Sequence, residues 1–346
     1  MVFRKNKISR LSAFVLLILL FACDCNKNRK KVDVSNLEVN IEISRLEMDI
    51  FSLKKENLEI EIKKLHEKYG DFFKFYIETI MGFGIVSDST SAYISKIDAF
   101  TSNTFSRGLF DSVAVEYEDL RELETELELA FKHVKFYFPQ TQNPQVITFI
   151  SEFGNAVFTY DTSILAIGLD LFMGPEFPYY TDFFPDFMLA KLQRDAIPAN
   201  CMKVIYDLYF SQAETTGQPL VHKMIENGKR LYFVEFMIPD AGDDLIIGYS
   251  ADQIDWCEEN EGLIWKFFSD HDLFYNTDFM EHRRYLGDRP NTPGMPPEAP
   301  GDIGSWVGWQ IVRQFMKNAG DNVTFAKLFQ ESDTETILSL SKYKPK

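Results

Sequence analysis

The chain has 346 residues, 45% of them apolar, with 32 phenylalanines and a formal net charge of −16. That apolar content supports a large core. The negative charge disfavours anionic lipid headgroups and excludes nucleic acid as a partner.

The first 22 residues, MVFRKNKISRLSAFVLLILLFA, carry Arg4, Lys5, Lys7 and Arg10 ahead of an apolar run from Leu11 to Ala22. A cationic start followed by about a dozen apolar residues is a secretory leader, because a membrane span needs roughly 20. Leu20-Phe21-Ala22-Cys23 then fits the bacterial lipobox, in which Cys23 is acylated and becomes the new N-terminus. More than one acyl chain anchors stably, each buried methylene contributing about 0.8 kcal/mol. The expected product is an exported lipoprotein held in the cell envelope on the periplasmic side, with a net charge of −20 once the leader's four cations are gone. Asp24 directly after Cys23 favours inner-membrane retention under enterobacterial sorting rules, but the sequence leaves both membranes open. Residues 23–36 include DCNKNRKKVDVS, almost without apolar side chains, and are expected to be a flexible tether. Residues 37–346 read as a single globular unit, with a helical half to about 140 and a sheet-plus-helices half from about 141.

Val39, Ile41 and Ile43 alternate in VNIEIS and predict a short strand over 39–44. From Asn57 to Gly82, Leu58, Ile62, Leu65 and Tyr69 lie at helical spacing, and a second aromatic helix starts after Gly70. His66-Glu67 suggests HExxH and fails, because the fifth position is Gly70. Ser112–Tyr137 predicts one long helix with Tyr117, Leu120, Leu127, Phe131 and Val134 on one side and Glu116, Glu122 and Glu126 on a solvated face.

After Pro139 the texture becomes β-branched and aromatic, broken at Phe153-Gly154-Asn155 and at Asp161-Thr162-Ser163. Three short strands in an antiparallel meander are predicted, roughly four with the strand at 39–44. A helix begins near Pro198, a good first-turn residue, and another carries LVHKMIENGKRLYFVEFM and stops before Pro239. Ser250 and Gln253 form a capping-box pattern ahead of a helix with Ile254, Cys257, Ile264 and Phe268 inward. Five prolines make PNTPGMPPEAPG (290–301) an extended surface loop. In the next helix Gly304 and Gly308 let another backbone approach closely, and Trp306 and Trp309 read as core anchors, with a binding box as the alternative. The fold class is α+β, mostly helical with a small antiparallel sheet.

The chemistry is sparse. There is no phosphate loop, nucleotide fingerprint or G-x-S-x-G, and no Cys/His cluster for zinc. Beyond Cys25, Cys201 and Cys257 are either one bridge or two buried thiols. His222 and Glu226 sit one helical turn apart and can share an ion, whereas a zinc site needs three or four protein ligands. They are the weak metal candidates; helix surface is the plainer reading. No cofactor is expected.

Six blocks carry a family resemblance: RLEMDIFSL (45–53), YGDFFKFYIETI (69–80), ILAIGLDLFMGPEFPYY (164–180), MIENGKRLYF (224–233), YSADQIDWCEENEGLIWKFF (249–268) and PGMPPEAPGDIGSWVGWQIVRQFM (293–316). In these the chain resembles the gliding motility-associated lipoprotein GldB family. The resemblance implies a role in gliding motility and the associated type IX secretion machinery, with envelope components as partners and no settled biochemical activity. More distantly the chain is similar to zinc peptidases of the gluzincin kind, where one helix bears HExxH and a second supplies a Glu before a Gly. Here PANCMKVIYDLYF (198–210) has neither His nor Glu, and Asn227 precedes Gly228 with Glu226 displaced by one. The resemblance therefore implies a metallopeptidase-like body lacking HExxH, without enzyme activity. It leaves a former groove for a partner, with Asn227, Tyr232, Trp306 and Trp309 as candidate binding residues. Two alternatives stand beside it: a hydrolase using His222, Glu226 or the acidic residues of 240–244, and a peptide or glycan binder presenting Trp306, Tyr179 or Tyr180.

Overall fold

A computed structural model describes residues 31–85, 90–211, 217–330 and 333–345. The leader, the lipobox, Cys23, Cys25 and most of the tether lie outside the described residues. Residues 32–346 cluster as one compact unit.

Two strands, β2 (Gln145–Phe149) and β4 (Ile164–Gly168), are at the centre of the sheet, flanked by β1 (Ile43–Arg45) and β3 (Val157–Tyr160) in the order β1-β2-β4-β3. β1 runs parallel to β2, with Ile43 opposite Val146, and β2 runs parallel to β4, with Ile147 opposite Ala166. Only β3 and β4 form an antiparallel hairpin. The sheet is therefore mixed, which corrects the expected meander. The reason lies in burial: Val146, Ile147, Phe149, Leu165, Ala166 and Ile167 are all fully buried. Strands covered on both faces occupy sheet centres with parallel neighbours, and half-buried β3 takes an edge.

The helices follow in chain order: α1 (Leu46–Phe51), α2 (Leu58–Phe75), α3 (Thr90–Ser102), α4 (Thr104–Glu116) and α5 (Arg121–Tyr137) before β2. After β4 come α6 (Asp186–Leu189), α7 (Ile197–Phe210), α8 (Leu220–Met237), α9 (Asp243–Ile247), α10 (Ala251–Glu259) and α11 (Glu261–Asp270). The chain ends with α12 (Phe279–Tyr285), α13 (Ile303–Ala319), α14 (Phe325–Gln330) and α15 (Thr334–Ser341).

Gly70 breaks α2 as the sequence suggests, with φ 54° and ψ −138° inside the helix. The expected helix over 112–137 is two, α4 and α5, because the chain turns at Tyr117, whose buried hydroxyl donates to the Phe172 carbonyl at 2.5 Å. The apolar stripe of α5 is buried as read, while Glu116, Glu122 and Glu126 are exposed. Glu128 and Glu124 of the same helix accept the backbone N–H groups of Ile41 and Ile43 at 3.2 and 3.3 Å. These two carboxylates cover the open edge of β1, where unpaired donors would otherwise face a passing strand. The strand predicted over 39–44 begins at Ile43.

Pro198 lies in the first turn of α7, and the Ser250 capping box is formed by both its hydrogen bonds. The helix after that box breaks at Asn260 into α10 and α11. The proline loop is less superficial than expected. Thr292 and Ala299 are buried, and Thr292 donates through its N–H to Ala299 and through its hydroxyl to Pro300.

α8 and α13 cross at van der Waals contact of their backbones. A Cβ on Gly308 would lie 1.6 Å from the Met224 carbonyl oxygen, and one on Gly228 would lie 2.2 Å from the Gly308 carbonyl carbon. Only glycine permits this approach. It brings Glu235 of α8 onto the Trp309 indole and Arg313 guanidinium of α13, each donating at 2.8 Å. Arg313 also makes a bidentate pair with Asp243 and stacks 3.7 Å from the Trp309 ring centroid. Cys201 and Cys257 are buried free thiols, with burial pushing both above the ordinary range.

Candidate functional site

Helix α8 is apolar on most of its surface, and its exception is a polar stripe. Leu220, Val221, Met224, Ile225 and Gly228 face the core, while His222, Glu226 and Arg230 recur at four-residue spacing beside Lys223 and Asn227. This stripe forms one wall of a cavity of about 400 Å³. Tyr206 and Asp207 near the end of α7 form a second wall, and Phe279, His282 and Arg283 of α12 a third. The size is within the roughly 300–1,000 Å³ range of ligand clefts.

The two metal candidates line this cavity and are already engaged. His222 Nδ1 lies 2.8 Å from the Thr334 hydroxyl, and Glu226 accepts from the buried Lys229 ammonium at 2.8 Å. Burial lowers the His222 pKa, and nearby Glu226 only partly opposes it. The imidazole is therefore held toward its neutral form. Among the described residues no three His, Cys, Asp or Glu side chains come together in a way that could hold a metal ion. Arg230 is paired with Asp207 at 2.7 Å; burial raises the Asp207 pKa and Arg230 opposes that rise.

Of the four candidate partner-binding residues, only Asn227 lines the cavity. Trp306 and Trp309 are 2% and 0% exposed and Tyr232 is 7% exposed, so these three are core side chains. The core-anchor reading of the tryptophans is the correct one. Tyr180 is fully buried too, its hydroxyl donating to the Asp170 carbonyl at 2.8 Å, and Tyr179 is half-buried. The glycan-binder reading thus loses Trp306 and Tyr180 as contacts.

Asn227 has a link that the sequence did not suggest. Its Nδ2 donates to the Ser305 hydroxyl at 2.8 Å, and that hydroxyl donates to Asp302 Oδ1 at 2.6 Å. Asp302 lines a second cavity of about 240 Å³, which shares Arg230 with the first. Sequence reasoning also missed Asp207, His282 and Arg283. They come from segments far apart in the chain, and no local motif marks them.

Among the described residues no helix is long and apolar enough to cross a membrane. A family model described as gliding motility protein GldB matches residues 27–345 of the chain. No curated protein and no solved structure matches it.

Proposed function

We infer function from one premise: the chain belongs to the gliding motility protein GldB family, and its role is a gliding motility one. Within that role it is a non-enzymatic lipoprotein, anchored in the envelope through Cys23, that supports gliding and the associated type IX secretion machinery. The α8 groove is its docking surface for another envelope component. The observation that carries this is the groove itself, open at about 400 Å³ and walled by charged and hydrogen-bonding side chains. The non-catalytic part is supported by the engagement of His222 and Glu226 with Thr334 and Lys229.

Descent of the groove from a peptidase cleft is supported by its walls. α7, which stands where HExxH is expected, and α8, the second-ligand helix, both line it.

Deletion in a gliding host, complemented by variants, tests the reading. Loss of spreading and secretion is expected on deletion. Wild type restores both; Cys23→Ser and the rim double variant Lys223→Glu, Arg283→Glu restore neither at normal protein levels. Normal spreading and secretion in the deletion strain would end the proposal.

A further inference from the structure

The second cavity, about 240 Å³, is smaller than the roughly 300–1,000 Å³ of sites for drug-sized molecules, so its occupant is small. Six charged side chains line it: Lys191, Lys203, Arg230, Asp244, Asp288 and Asp302. Some are satisfied by one another or by the groove: Lys191 is paired with Asp288, and Arg230 with Asp207. Three polar groups are left over. Lys203 makes no hydrogen bond or ion pair among the described residues, Arg230 Nε is buried without an acceptor, and Asp302 uses one oxygen, on Ser305. Asp302 also holds a left-handed backbone, φ 59°, at the start of α13. Aspartate tolerates that conformation at a cost, and such outliers cluster where function fixes a side chain.

We propose that this cavity binds a small zwitterion of the α-amino acid pattern, its carboxylate on the Lys203 amine beside the Arg230 guanidinium and its ammonium on Asp302. The charge inventory chooses the class. A simple anion would face Asp302 and Asp288 as well as its donors, and a simple cation would face Lys203, Lys191 and Arg230. A ligand bearing both charges completes both sets. Burial, with Arg230 and Lys191 beside it, pushes Lys203 down to about 7, and burial pushes Asp302 up to about 6. Lys203 and Asp302 each feel the other's charge, but that attraction only partly offsets their burial. This inference does not depend on the docking role, although the Asn227–Ser305–Asp302 chain connects the two cavities.

Isothermal titration of the purified protein at pH 8 with glycine, L-alanine and L-serine tests it, each compared with its N-acetyl and its amide form. At least one free amino acid is expected to bind, with both of its blocked forms at least tenfold weaker. Lys203→Met and Asp302→Asn should each weaken binding at least fivefold. Binding should take up a proton at pH 8, because the carboxylate recharges the Lys203 amine, and this appears as a heat that depends on buffer ionisation. Absence of binding by all three amino acids, equal binding of a blocked form, or no proton uptake overturns the proposal. The blocked ligands act on the unaltered protein, so a variant that fails to fold does not shelter the idea.

Discussion

Gly308 lies so close to Met224 that a β-carbon on the glycine would sit 1.6 Å from the methionine carbonyl oxygen. The obstacle is backbone, which cannot rotate away. Gly308→Ala therefore forces α8 and α13 apart and is expected to cost about 3 kcal/mol or more in urea unfolding, at or beyond the upper end of ordinary overpacking. Gly108→Ala is the contrast: there the nearest atom is the end of the Tyr179 side chain at 2.7 Å, which can swing aside. Its cost should be clearly smaller.

Arg313 joins α13 to α8 and α9 through Glu235 and Asp243, and all three side chains are largely buried. Arg313→Met keeps the stem and removes the charge from two carboxylates, which is expected to destabilise by about 3 kcal/mol. Arg313→Lys should recover only part, because a point charge cannot reproduce the bidentate fork. Full stability in the methionine variant would show that the network contributes nothing.

Asp170 gives the fold a pH dependence. Its carboxylate is fully buried; burial pushes its pKa up to about 7, while the N–H groups of Phe153 and Ser151, at 2.7 and 3.2 Å, pull it back only in part. The folded state therefore binds the proton more tightly than the unfolded state, where the value is near 3.8. The stabilisation is full below about pH 4 and is lost as pH rises through about 7, on the order of 4 kcal/mol in total. Asp170→Asn should flatten this part of the stability curve between pH 4 and 7. An unchanged slope in the variant would assign the dependence to other groups.

Chelation should leave the protein indifferent. With His222 held to Thr334 and Glu226 to Lys229, EDTA is expected to move the thermal midpoint by less than about 1 °C, well inside the shift of a 1 kcal/mol effect. A His222→Ala, Glu226→Ala double variant should carry the same metal content as wild type on elemental analysis. One equivalent of an ion that the variant loses would reopen the hydrolase reading.

Local chemistry made much of the helical body legible. Pro198, the Ser250–Gln253 capping box, the break at Gly70 and the Gly304/Gly308 packing surface all act within a turn or two of chain, and the structure repeats them. The sheet order was less accessible, yet it had left a trace: VITF, polar only at Thr148, and LAIG are nearly continuous apolar runs, the mark of strands covered on both faces, whereas a meander with one solvated face alternates. The break between α4 and α5 left none, since the apolar spacing runs on through Tyr117.

By itself the sequence determined the α+β class, the family and the limits of α7 and α8, because each rests on neighbours in the chain. Only the tertiary structure decided which strands pair, that Trp306, Trp309 and Tyr232 belong to the core, and that α7, α8 and α12 enclose a groove. It also brought Lys203, Arg230 and Asp302 to one small cavity. These are contacts between segments tens of residues apart, selected by how buried faces fit together. No periodicity along the chain encodes that fit.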